Sequence, residues 1–536
     1  MPAAGGGFNR NALHNVPKAA RGPYIWLAAI WASYCGGLHG FNTANISGAM
    51  SLDPFVRDFG WTHLTDGRIS NNSGWAVSSM LLGQTAGVII SGPLGERRGR
   101  KSVILLSAIL YTTGAVLMAG NTGSFAELLV GRVLSGIGSG CGMTAGPVYI
   151  TEIAPRELRG MMTTFYNINI MSGVAGSYWI NYASLQVLPS SSSWQWRATL
   201  VLQMIPSIAL LIGFPFFSET PRYLLMRGRV DAARKSLLRL RGGLDELDPY
   251  VAREYAELQS MAEVGAENKR GVDALRSLVK ECSRDSAARH LLVFVVLIQT
   301  FFIMSGGNSI TYYAPTILKS IGLADDQVLL FTAVYGLIKV VSVFLYAFFL
   351  TERFGRRPLL LIGSTINALC LLYLSVFLGV ANISGTASPS PAAWVAIVAI
   401  CIFAIGYGFG WAPVLSLTAS EICPTHLRGP IVAFAFTYQN LLNFGISRGF
   451  PNMTEDMHAW GPFALFAAFT ACGTAWSYVA FPECKGRSME NVSTIFSLPW
   501  YCTGFSKVSD QTERDGDVGD LEKNGSSMHQ ENTLKP

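Results

Sequence analysis

Long apolar runs separated by short polar segments dominate this chain. Twelve of them lie near residues 24–45, 74–95, 103–121, 126–150, 162–185, 197–217, 289–312, 327–350, 358–380, 393–417, 430–450 and 461–481. Each approaches the roughly 20 residues an α-helix needs to cross the hydrocarbon of a bilayer. The pattern therefore predicts an all-α membrane protein with twelve spanning helices in two bundles of six. The first run follows a polar start holding Arg10, Lys18 and Arg21 and is long enough to span, so it reads as a helix rather than a cleaved signal. Two longer polar stretches complete the organisation: residues 1–23 are an N-terminal segment, 24–217 a first bundle, 218–288 a linker, 289–481 a second bundle and 482–536 a tail. The linker has short amphipathic patterns, such as Val230 to Leu240, and reads as two or three short helices. The tail is a mixture of Ser, Asp, Glu, Lys and Asn without period, expected to be largely disordered beyond about residue 505.

Composition agrees with this pattern. Half the residues are hydrophobic and only 14% are charged, against about 25% in soluble domains. The net charge of +6 is spread over short loops and is no nucleic-acid footprint. Placing the N-terminus inside puts 33 of the 40 lysines and arginines in cytoplasmic segments, so the positive-inside rule predicts both termini in the cytoplasm. The nine cysteines include no Cys-x-x-Cys pair and none falls in an external loop, which argues against a disulfide framework or a metal site. Three glycosylation sequons begin at Asn71, Asn382 and Asn452, all in segments predicted external.

The two halves repeat. Residues 152–160 read Glu-Ile-Ala-Pro-Arg-Glu-Leu-Arg-Gly and residues 421–429 read Glu-Ile-Cys-Pro-Thr-His-Leu-Arg-Gly, six of nine positions matching at a shift of 269. Glu96-Arg97-Arg98-Gly99-Arg100-Lys101 is answered by Glu352-Arg353-Phe354-Gly355-Arg356-Arg357 at a shift of 256. Glu219-Thr220-Pro221-Arg222 has a weaker echo around Pro482-Glu483. Matching order and similar shifts mean two homologous halves related by an axis along the membrane normal, with a site between them near the midplane.

With Gly131-Arg132, Pro147-Val-Tyr149 before Glu152, and Trp196-Arg197 with Gln203, these motifs resemble the sugar-porter branch of the major facilitator superfamily, in its fungal form, from about residue 23 to 490. Charges recurring in both halves at the cytoplasmic ends of spans fit a gate that closes in one state and opens in the other. Its candidates are Glu96, Arg97, Arg100, Glu152 and Arg159, then Glu352, Arg353, Arg356, Glu421 and Arg428. Positive-inside topology alone is the plainer explanation for any single arginine among them.

Polar residues inside apolar spans mark a substrate path. Span five has Asn167; span seven has Gln299, then Ser305-Gly306-Gly307-Asn308 and Tyr312-Tyr313; span eleven places Gln439, Asn440 and Asn443 on one helical face. Amides offer both donors and acceptors to hydroxyls, although each alone could serve as interhelical glue. The resemblance implies a sugar site here, with departures: Phe302 and Ile303 replace glutamines, and Ser416 stands for a tryptophan. Lys339 lies mid-span, 13 residues from Glu352, which is roughly 20 Å from the helix end. The stretch Gly336-Leu-Ile-Lys339 is similar to fungal quinate and galacturonate carriers, so Lys339 reads as an anchor for a substrate carboxylate, as half of an internal ion pair, or as the lining of a solvated cavity. Proton-coupled relatives carry Asp in span one near the span-four arginine; this chain has Asn42 near Arg132, which favours facilitated uniport. His39, one turn before Asn42, is the alternative proton carrier.

The expectation is a multi-pass transporter of a sugar or related polyol working by alternating access. An acidic sugar or cyclitol is the alternative cargo, and a non-transporting sensor a more distant one. No catalytic set appears, and no cofactor or metal is implied. The implied partners are a small sugar-like solute, the lipid bilayer and, through His39, protons. The expected setting is a functional monomer in the plasma membrane.

Overall fold

A computed structural model describes residues 16–267, 271–380, 390–412 and 428–483, together with Phe496, Tyr501 and 503–505; within 263–275, 351–352 and 428–429 only the backbone is described. Every regular element among these residues is helical. The first half contributes α1 (Pro23–Met50), α2 (Asp66–Arg98), α3 (Arg100–Ala119), α4 (Phe125–Ile153), α5 (Arg159–Val187) and α6 (Trp194–Gly213). Four helices follow: α7 (Pro221–Met226), α8 (Val230–Leu240), α9 (Pro249–Glu267) and α10 (Gly271–Arg284). The second half contributes α11 (Ser286–Tyr312), α12 (Asp325–Leu350), α13 (Arg356–Val380), α14 (Pro391–Phe409), α15 (Arg428–Asp456) and α16 (Gly461–Ala480). Among the described residues nine helices are long and apolar enough to cross a membrane. The others of comparable length, α1, α5 and α15, have 28, 29 and 29 residues and carry more of the polar positions.

Two features differ from the sequence expectation. The linker holds four helices rather than two or three; α10 is strongly amphipathic, so its apolar face is legible in the sequence, although the expected two or three leave no place for it as a separate helix. The polar segment between the first two predicted spans, 24–45 and 74–95, shrinks to 51–65, since α1 runs to Met50 and α2 starts at Asp66. Polar residues extend both helices past their apolar centres, where hydropathy no longer registers them. As a result Asn71 and Asn452, expected in loops, lie within α2 and α15. Asn382, Glu421 and Ser416 lie outside the described residues, as do the side chains of Glu352 and Arg428.

Small residues set how closely the spans approach. A β-carbon at Gly83 would stand 2.2 Å from the Val133 carbonyl oxygen, and one at Gly140 would stand 2.3 Å from that of Gln84. Helices α2 and α4 therefore pack backbone to backbone, as small-xxx-small faces do in lipid. Large apolar side chains such as Ile90, Val130, Leu369 and Val376 stand exposed on the outside, as a hydrocarbon solvent favours.

The repeated motifs form one polar end. In the first half, the Glu219 carboxylate accepts from the Lys101 backbone N–H at 3.1 and 3.2 Å, capping α3 beside Gly99 at φ +93°. In the second, Glu483 accepts from the Arg356 and Arg357 N–H groups at 3.2 and 3.1 Å, capping α13 beside Gly355 at φ +81°. The weak sequence echo between residues 219 and 483 is thus the same joint built twice. The linker docks at this end through buried Arg241, which donates to the Ile153 carbonyl at 3.1 Å and pairs with Glu254.

Candidate functional site

Span seven is broken where its sequence weakens it. The helix runs from Ser286 to Met304, Gly306 takes φ +77°, and a new turn starts at Gly307. Only glycine adopts that conformation without strain, and a β-carbon there would lie 2.8 Å from the Phe466 ring. The break turns Asn308 toward α14, where the Tyr407 hydroxyl donates to its Oδ1 at 3.2 Å.

Around this break the predicted amides separate into two groups. Asn443 donates to the Tyr312 hydroxyl at 2.9 Å, joining spans eleven and seven. Gln299 Oε1, Gln439 Oε1 and Asn440 Nδ2 are buried without a hydrogen-bond partner among the described residues. Tyr313 is turned away from this group: its hydroxyl donates to the Ser447 carbonyl at 2.8 Å and its ring stacks on Phe450. Asn167 is half-buried on α5 and makes no hydrogen bond to a described residue.

Lys339 is 3% exposed. Its Nζ donates to Thr311 Oγ1 at 2.7 Å and stands 5.4 and 5.2 Å from the ring centroids of Tyr335 and Tyr407. The Thr311 hydroxyl donates onward to the Gly307 carbonyl at 2.7 Å. No carboxylate among the described residues pairs with Lys339, so the internal ion pair weighed from the sequence is absent from them.

Arg132 is fully buried and its guanidinium meets neutral acceptors. Nη1 donates to the Asn42 carbonyl and Oδ1, both at 2.8 Å, and to Asn45 Oδ1 at 3.0 Å; Nε and Nη2 donate to the carbonyls of Ala76 at 2.9 Å and Val77 at 3.2 Å. Asn45 donates to Gln203, which also accepts from Tyr111 at 3.2 Å. His39 Nδ1 is 2.8 Å from Gln84 Nε2, and Gln84 in turn donates to Ser139 at 3.1 Å. The amide therefore donates to a neutral ring nitrogen. Asn45, Gln84, Ser139 and Gln203 went unmarked in the sequence, because nothing in a single chain reveals which spans face Arg132.

At the polar end Arg100 pairs with Glu152, donating from Nη2 at 2.9 Å and from Nε at 3.1 Å, while the Thr220 hydroxyl donates to the other carboxylate oxygen at 2.7 Å. Burial, with Glu152 nearby, raises the Glu219 carboxyl above the ordinary carboxylate range, although backbone N–H groups oppose it. The side chains of Glu96 and Arg97 make no hydrogen bond or ion pair with a described residue, and Arg97 instead offers its carbonyl to Tyr223 at 3.0 Å and to Arg227. Arg159 is half-buried and its Nε has no partner among the described residues. The Arg353 guanidinium lies 5.8 Å from the Phe354 ring centroid, and the Arg356 backbone N–H donates to Glu483.

At the opposite end the two halves touch. Arg448 of α15 donates to Asn71 of α2 and lies 4.9 Å from the Trp75 ring centroid, and Ser70 donates to Glu455; deeper between the halves, beside mid-span Lys339, the Tyr178 hydroxyl of α5 donates to the Thr311 carbonyl. None of these contacts was anticipated, and Asn71, read as a sequon, is half-buried within them.

Paired bundles with a broken helix and polar groups between the halves define an integral-membrane solute carrier. The chain matches the family described as sugar (and other) transporter over residues 28–496 and belongs to it. It is 31% identical to a probable quinate permease of Aspergillus niger over 507 residues, 93% of each chain. It is 28% identical to sugar transport protein 7 of Arabidopsis thaliana over 488 residues, 89% of this chain and 91% of that one. The partially occluded inward-open structure of the xylose transporter XylE from E. coli shares the fold with a TM-score of 0.71, 23% identity, and coverage of 87% of this chain and all of that one.

Proposed function

We propose that this chain carries a polyhydroxylated ring solute, a hexose or related polyol, across the membrane by alternating access and without proton coupling. The observation that carries the reading is the set of buried amide atoms without partners, Gln299 Oε1, Gln439 Oε1 and Asn440 Nδ2. They lie on α11 and α15, helices of the second half that border α1 and α2 of the first. An unmatched buried polar atom costs about 1–3 kcal/mol, and ring hydroxyls supply both the donors and the acceptors to remove that cost. Asn308, Tyr312, Asn443 and Asn167 surround or extend this set in the proposed path, while Tyr313, turned away from it, is left out.

Absence of coupling is supported by Asn42, which presents an amide to Arg132 where an ionisable acid would be needed. Residues 24–217 and 289–481 act as the moving units, with the basic end in the cytoplasm, both termini on that side and the protein in the plasma membrane as a monomer. The charged groups at this end, Arg100 with Glu152 in the first half and Arg356 and Glu421 in the second, are read as the inner gate, each set changing its contacts between the two states of the cycle. An acidic ring solute is a second reading, favoured by the unpaired ammonium of Lys339 and by the name of the Aspergillus relatives.

The test is uptake of a labelled panel of hexoses, polyols and sugar acids into transporter-null cells. At least one polyhydroxylated solute should enter, and Gln299→Leu with Asn440→Leu should reduce its flux several-fold at unchanged surface amount. Signalling without flux would contradict transport and favour a sensor.

A further inference from the structure

We infer that Lys339 is the subsite for a carboxylate on the transported solute, so that the cargo is a polyhydroxylated anion such as a sugar acid or a carboxylated cyclitol. The inference rests on the transport reading above and takes its second form, the acidic ring solute, as the cargo. Lys339 stands 14 residues after Asp325 and 11 before Leu350, the two ends of α12, too deep for a lysine stem to bring its ammonium to either surface. A charge at that depth is costly unless paired or solvated, and intramembrane charges mark substrate paths.

The surroundings of Lys339 satisfy the ammonium only in part. An ammonium has three N–H donors and no acceptor. One is used on Thr311 Oγ1 at 2.7 Å. That oxygen is a suitable acceptor because its own proton is committed to the Gly307 carbonyl. The rings of Tyr335 and Tyr407 lie near the charge, and ring faces attract a cation without neutralising it. Among the described residues, two N–H groups and the positive charge are left for a guest. The spatial arrangement indicates where the guest sits. Tyr407, beside the ammonium, also donates to Asn308, so the amide of the broken helix and the ammonium share one wall. Asn308 is half-buried, unlike its neighbours Gly307 and Ser309, which are fully buried. Thr311, which receives the ammonium, gives its carbonyl to Tyr178 of the first half. An anion bound at Lys339 therefore sits one residue from a contact that must change when the halves move, where binding energy can favour one state over another.

The purified protein in detergent provides the test, using matched pairs that differ in one charge: galacturonate against galactose, and quinate against methyl quinate. Ligand-dependent thermal stabilisation should report roughly 10- to 100-fold tighter binding of the acid in each pair, the range that a charge-assisted hydrogen bond supplies. Lys339→Gln should remove the preference, bringing the acid's affinity down to that of its neutral partner. Lys339→Arg should recover part of the preference, since a planar fork occupies different space from a compact ammonium. Equal affinity within both pairs for the wild-type protein would overturn the inference while leaving carriage of a neutral polyol intact, and this arm needs no variant to fold. Equal loss of acid and neutral ligand in Lys339→Gln would also overturn it. Binding of neither member of either pair, with no flux across the uptake panel, would overturn the transport reading itself.

Discussion

Around Arg132, side-chain chemistry sets what kind of carrier this is. A buried guanidinium needs acceptors, and here every one is neutral: two asparagine amides and three backbone carbonyls. On the proposed uncoupled reading, the cluster ties spans one, two and four together rather than cycling through charge states. His39 is the titratable group beside it, engaged through Nδ1 with Gln84. Uptake into weakly buffered cells should leave the external pH unchanged and should persist in His39→Ala at half the wild-type rate or better. Solute-dependent alkalinisation that disappears in His39→Ala would make His39 a proton carrier. The mid-span depth of Lys339 was legible in the sequence, because counting residues along a helix gives depth directly. Its neighbours Thr311, Tyr335 and Tyr407 were not, since contacts between spans depend on rotation and tilt that hydropathy does not encode.

Individual elements divide between those the sequence marks and those it hides. The span-seven break was foreseeable from two consecutive glycines in an apolar run, and the break falls at Gly306. The extension of α2 back to Asp66 was not, because its first turns are polar and owe their helicity to packing against α15. That is why Asn71 passed for a loop residue. The motifs at the polar end were fully visible as repeats, and the structure adds which groups meet: Arg100 with Glu152, and Glu219 with the start of α3. In the repeat, Glu483 takes the role of Glu219. Replacing Glu152 and Glu421 together with Gln removes one carboxylate from each half without changing side-chain size. Transport should fall about tenfold while surface labelling stays constant, because the ion pairs stabilise one state of the cycle and not the fold. Undiminished flux in the double variant would remove the inner gate from the mechanism.

For the whole molecule, a repeat in the sequence becomes two bundles, and one cluster of contacts between them falls at the end opposite the basic loops. Ser70 meets Glu455 and Arg448 meets Asn71. Alternating access requires these contacts to part in every cycle. The most direct measurement is solute flux through a reconstituted Ser70→Cys/Glu455→Cys variant, before and after oxidation. In the reduced state, liposomes preloaded with unlabelled solute should accumulate labelled solute transiently above equilibrium, as a carrier with a single exchanging site does. Oxidation to the disulfide should abolish that overshoot and reductant should restore it. Flux that continues unchanged through fully cross-linked protein would contradict the account, because the solute would then be crossing without the halves separating at this end.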